Sequence, residues 1–89
     1  MGKDIRQFMT MFGVFVGEAG EQVGDRLFLK RPLKIQLTQT DVLFNKVFAD
    51  EKEIIIPLGS VIEIVLETPI KDAYEEAAMK AYSGLILAR

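Results

Sequence analysis

Histidine, cysteine and tryptophan are all absent from the 89 residues. That removes most side-chain chemistry. Without cysteine there is no thiolate nucleophile, and without histidine there is no imidazole base, no Ser-His-Asp relay and no Cys/His zinc centre. No cofactor and no metal are expected, and the chain reads as a non-enzyme, a scaffold that folds or associates. The compartment goes unmarked by thiol usage, because a chain with no cysteine tolerates reducing and oxidising surroundings equally. A dominant charge is missing too: 11 Lys and Arg stand against 13 Asp and Glu, a net charge of -2. The whole-molecule field therefore favours neither nucleic acid nor a membrane surface. Long apolar runs are lacking as well. The run Phe8 to Val16, behind Lys3 and Arg6, is far shorter than the ~20 residues that a membrane span requires. As a secretion signal it is spoiled by Asp4 in the basic region and by the lack of a convincing small-x-small cleavage site. The expectation is a soluble, cytoplasmic chain with no membrane span.

What the sequence has in quantity is apolar side chains, 49% of all residues. A chain of 10.0 kDa is expected to be one domain, near the lower size at which a single core suffices, since it buries only about 60–65% of its unfolded surface. Part of so large an apolar share is expected to meet another chain.

Ile5, Phe8, Met9 and Phe12 share a helical stripe, whereas Phe12 to Val16 favours a strand and the three glycines from Gly17 to Gly24 read as a loop. Residues 1–24 are therefore expected as a lead of uncertain form that enters a strand near 11–16, followed by a loop. From Arg26 the period is two, with Leu27 and Leu29 on one side and Arg26, Phe28 and Lys30 on the other, until Pro32, which belongs on an edge or at a bulge. Ile35 and Leu37 resume the alternation beyond it. Gln39-Thr40-Asp41 reads as a turn, Val42 to Phe48 as a strand covered on both sides, and 49–52 as a hairpin tip. Ile54 to Ile56 is broken by Pro57-Leu58-Gly59-Ser60, and Val61 to Glu67 alternates again, with Ile62, Ile64 and Leu66 inward and Glu63 and Glu67 outward.

Thr68-Pro69 predicts a helix start, with Thr68 as the cap and Pro69 in the first turn, where its missing N–H is no loss. Ile70, Ala73, Tyr74, Ala77, Ala78 and Ala81 then make an apolar stripe opposite Lys71, Asp72, Glu75, Glu76 and Lys80. Gly84 is placed to end the helix, leaving Leu85-Ile86-Leu87 as an apolar tail. Tyr74 is expected in the core and Tyr82 as a packing residue with a solvated hydroxyl. The element order predicts an α+β domain: a small antiparallel β-meander or partly closed barrel with one C-terminal helix packed on it. Its parts are the lead and loop (1–24), a β-rich region (25–67), the helix (68–84) and the tail (85–89).

The stretch Ile54-Ile-Ile-Pro-Leu-Gly-Ser-Val-Ile-Glu-Ile64 resembles the closing hairpin of small barrels of the Sm-like and pleckstrin/GRAM kinds. The resemblance implies a hairpin there and carries no function or binding residue with it.

Charge distribution supplies the candidate site. Between Arg26 and Thr40 there are four basic residues and no acidic one. Arg26, Phe28, Lys30, Arg31 and Lys34 are the candidate contacts to a partner or to nucleic acid, in the manner of sheet faces that stack bases and hold phosphates. Asp50, Glu51 and Glu53 could offer oxygens to a divalent cation but match no EF-hand loop. Gly17, Gly20 and Gly24 match no phosphate loop, and Glu63 with Glu67 is an ordinary pair of surface acids. The leading expectation is a non-catalytic protein–protein interaction module that assembles with itself as a homo-oligomer, or with another protein. The alternatives are a small nucleic-acid-binding barrel that uses the basic strand, an enzyme working through carboxylates or a bound metal, and a carrier of a small apolar ligand in a cavity lined by Phe and Met.

Overall fold

A computed structural model of the chain describes residues 4–37, 42–46 and 53–87. The expected turn at 39–41 and hairpin tip at 49–52, with Asp50 and Glu51, lie outside the described residues.

The chain begins with an antiparallel hairpin of β1 (Ile5–Thr10) and β2 (Gly13–Val23). Strand thus replaces both the lead of uncertain form and the expected loop. Phe8 stands opposite Phe15, and the two rings are buried together in the core, so cross-strand packing overrides the helical spacing of Ile5, Phe8, Met9 and Phe12. The glycine at 17 marks a close approach rather than a loop: a Cβ there would fall 2.5 Å from Leu29 Cγ.

β3 (Arg26–Leu37) runs beside β2 and carries two partners on its other side. β4 (Val42–Lys46) pairs with its second half, from Leu33 to Leu37, and β5 (Glu53–Pro57) with its first half, from Arg26 to Lys30. A 3-10 turn at Leu58–Ser60 carries the chain to β6 (Ile62–Ile64), which pairs with β1. The strand order is β4-β3-β2-β1-β6, with β5 beside β3, all pairs antiparallel and the sheet not closed. β5 and β6 do not form the hairpin that Ile54–Ile64 suggests. Beyond Pro57, the Leu58 amide donates to the Asp25 carbonyl at 2.7 Å, which ties the chain to the β2–β3 turn and directs it across to the opposite edge.

The last element, α1 (Thr68–Leu87), completes the α+β fold. Its first turn is anchored by the Glu67 carbonyl, which accepts from the Ile70 and Lys71 amides, so that Thr68, expected as the cap, already belongs to the helix that starts at 68. Gly84 does not end it. Helix continues through Leu87, since a single glycine within a helix costs only about 1 kcal/mol.

Between Val16↔Leu33 and Glu18↔Lys30 the register slips, leaving Arg31 and Pro32 of β3 opposite Gly17 alone. This is a β-bulge, the position that the proline called for, and Arg31 bends the strand there with a φ of 48°. The extra residue reverses which side of the sheet each later side chain takes. Leu27 and Leu29 join Phe8, Phe15 and Ile56 in an inner core, whereas Leu33 joins Val16, Tyr74, Ala78 and Tyr82 in a second core under the helix. Ala77, Ala78 and Ala81 lie on the docked side of α1 as their spacing predicts, but Ala73 is exposed.

Candidate binding site

The bulge divides the five basic-strand candidates. Arg26, Phe28 and Lys30 stay on the face opposite Leu27 and Leu29, with Arg26 and Lys30 exposed and Phe28 half-buried. Register sets Lys30 between Glu18 of β2 and Glu53 of β5, so carboxylates flank it on both sides. Arg31 donates from Nη2 to the Glu18 carboxylate and is occupied by that ion pair. Lys34, past the bulge, falls on the inner face opposite Phe15. The strip of cations that a regular strand would align is therefore not assembled on one surface.

What the bulge does assemble is the seat of the helix. Among the described residues Arg31 and Pro32 have no register partner in β2, β4 or β5. Two phenols from α1 bond their carbonyls: Tyr74 Oη donates to the Arg31 carbonyl at 2.6 Å and Tyr82 Oη to the Pro32 carbonyl at 2.7 Å. The Tyr82 hydroxyl is thus buried and bonded rather than solvated. Burial pushes the pKa of both phenols above the ordinary value, opposed by the nearby Arg31 guanidinium. Phe44 of β4 meets the Tyr74 ring edge-on at 6.3 Å and closes this core.

Two apolar features remain open to an occupant. One is a row across five strands on the helix-bearing face, in which Phe44, Ile35, Val14, Met9 and Ile62 are successive register neighbours. The helix-side core takes up Phe44 and Ile35 but not the far end, where Met9 is 47% and Ile62 65% exposed. Ile62 therefore faces the side that the alternation assigned to it, but nothing among the described residues covers it. α1 packs chiefly on β3 and β4, with Val16 and Ile5 also in its core, and leaves Met9 and Ile62 largely uncovered among the described residues.

The other feature is a cavity of about 650 Å³ opening off the inner core. Phe15, Ile54, Ile56 and Val61 line it, and the β1–β2 turn adds Met11 and Phe12, which are 89% and 72% exposed. Its polar members are Thr10, Lys34 and Ser60. Thr10 Oγ1 is engaged in the turn, donating to the Gly13 carbonyl at 2.9 Å and accepting from the Phe12 amide at 3.0 Å. A cavity lined by Phe and Met was among the expectations, but its place and the presence of Lys34 were not, because Lys34 reaches it only through the bulge. The signal available was Gly13 after two exposed apolar residues.

Among the described residues no group of three acids gathers to hold a cation, and no helix is long and apolar enough to cross a membrane. Comparison with known proteins returned no matching family model and no matching curated protein.

Proposed function

We propose that the chain is a non-catalytic interaction module that self-associates through the bare β6 end of its helix-bearing face. The supporting observation is the five-strand apolar row that the helix covers at one end only, leaving Met9 and Ile62 exposed side by side. β6 adds a second contact mode. Among the described residues its only strand neighbour is β1, so its other edge offers backbone donors and acceptors to a further strand. A two-fold pair would bring Met9 and Ile62 of each copy against the other and close both edges at once.

The test is the solution mass, measured by light scattering at high micromolar concentration, together with that of the Ile62→Lys variant. A dimer that Ile62→Lys converts to a folded monomer is the expected result. The side chain is more exposed than buried, so the substitution should leave the fold intact. A monomeric unmodified protein overturns the proposal. Nucleic-acid binding is the weaker reading, since the strand that would carry it keeps Arg26 and Lys30 but loses Arg31 to Glu18 and Lys34 to the opposite face.

A further inference from the structure

We infer that the cavity beside the β1–β2 turn binds a single-chain carboxylate amphiphile, with its acyl chain against Phe15, Ile54, Ile56 and Val61 and its carboxylate on Lys34. Three observations carry this. The cavity volume of about 650 Å³ lies within the roughly 300–1,000 Å³ span of small-molecule sites, and apolar groups dominate the lining. Lys34 is the one charged side chain in that lining, and no carboxylate among the described residues lies within ion-pair reach of it. Its position is also built. A Cβ on Gly13 would fall 2.6 Å from Lys34 Cε, so the bare glycine, at a φ of 125°, leaves the room in which the lysine stem lies.

An exposed ammonium with no carboxylate partner among the described residues, set beside apolar walls, points to the chemistry of the occupant. The walls are mostly apolar, Thr10 is already engaged in its turn and only Ser60 adds a hydroxyl, too few polar groups for a sugar or a base, while a nearby low-dielectric surface strengthens attraction to a single anion. A doubly charged phosphate would find one cation where it needs several donors. A chain with one carboxylate at its end matches both parts, the length of apolar wall and the lone charge. None of the lining residues belongs to the Met9–Ile62 patch, so the inference stands independently of self-association.

Calorimetric titration of the full chain with hexanoate, octanoate, decanoate and decanol, each below its micelle concentration or solubility limit, tests it. Affinity should rise about fourfold per methylene along the carboxylates, the equivalent of ~0.8 kcal/mol per buried CH₂. Decanoate should bind about tenfold or more tightly than decanol, the lower end of what a hydrogen bond to a charged group contributes. Lys34→Met should remove that preference while leaving decanol affinity unchanged. The chain-length series on the unmodified protein decides the matter even if the variant folds poorly. Absence of binding by decanoate, a flat response to chain length, or equal affinity for decanoate and decanol each overturns the inference. So does binding to phosphatidylglycerol vesicles without binding to free decanoate, which would make the exposed Met11–Phe12 turn a bilayer contact instead.

Discussion

Replacing Tyr82 by Phe removes one hydroxyl and no ring, and the structure assigns that hydroxyl a specific task. Pro32 is fully buried, and its carbonyl sits in the bulge with no strand partner among the described residues, where the phenol bonds it at 2.7 Å. A buried acceptor stripped of its donor costs about 1–3 kcal/mol, whereas the transferred ring keeps its packing. Arg31, the acceptor for Tyr74, is only half-buried, and water can replace the lost phenol there. Tyr74→Phe should therefore cost about 1 kcal/mol, nearer the net worth of an ordinary hydrogen bond. Small domains are stable by about 5–15 kcal/mol in all, so a loss of about 2 kcal/mol at Tyr82 is a substantial share, and it should lower Tm by roughly 8–16 °C. Urea unfolding followed by circular dichroism measures both variants, with an unchanged slope against denaturant showing that the compactness of the end states is preserved. A Tyr82→Phe variant within about 0.5 kcal/mol of the parent, or one less affected than Tyr74→Phe, would refute the account of the helix seat.

Alkaline pH should destabilise the fold through the same two residues. Above pH 10.0, the ordinary phenol value, the unfolded chain releases tyrosine protons that the folded chain retains, because both phenols are raised. The unfolded state then binds fewer protons, so stability present below that pH falls above it, with a slope for each raised phenol that approaches at most about 1.4 kcal/mol per pH unit while the folded state keeps its proton. Unfolding free energies between pH 9 and 11 should fall with increasing steepness in the parent, and this dependence should be lost in the Tyr74→Phe/Tyr82→Phe double variant. Ala78 is buried on the docked side of α1, so Ala78→Glu should cost several kcal/mol, enough to unfold the domain, by overpacking and by burying a charge. Glu76→Ala, which removes only an exposed pair with Lys80 at 3.3 Å, should shift stability by no more than about 0.5 kcal/mol, and thermal melts compare the two. At position 31, where φ is 48°, Arg31→Gly should be more stable than Arg31→Ala by about 1 kcal/mol. Both variants lose the Glu18 ion pair, so equal denaturant midpoints would show that the bend carries no backbone strain.

The sequence by itself determined the elements whose pattern is local. Alternation about Leu27 and Leu29, the turn-forming Pro57–Ser60 and the alanine stripe after Thr68-Pro69 depend on side chains a few residues apart, and the α+β architecture follows from their order. The proline at 32 even announced a bulge. Only the tertiary structure decided what the bulge does. Its handedness is read by strands distant in sequence: β2 sets the slip, β4 and β5 divide at it, and α1 reaches back more than forty residues to bond its carbonyls. One inserted residue moves every later side chain of β3 to the other face, because a strand has a period of two. For that reason Lys34, which in the sequence lines up with Arg26, Phe28 and Lys30, lies instead beside an apolar cavity. The exposure of Ile62, which the alternation placed inward, was likewise beyond sequence reading. The alternation names the face on which a side chain stands, but whether that face is covered depends on where a helix comes to rest, and α1 rests on β3 and β4 because Tyr74 and Tyr82 are held there.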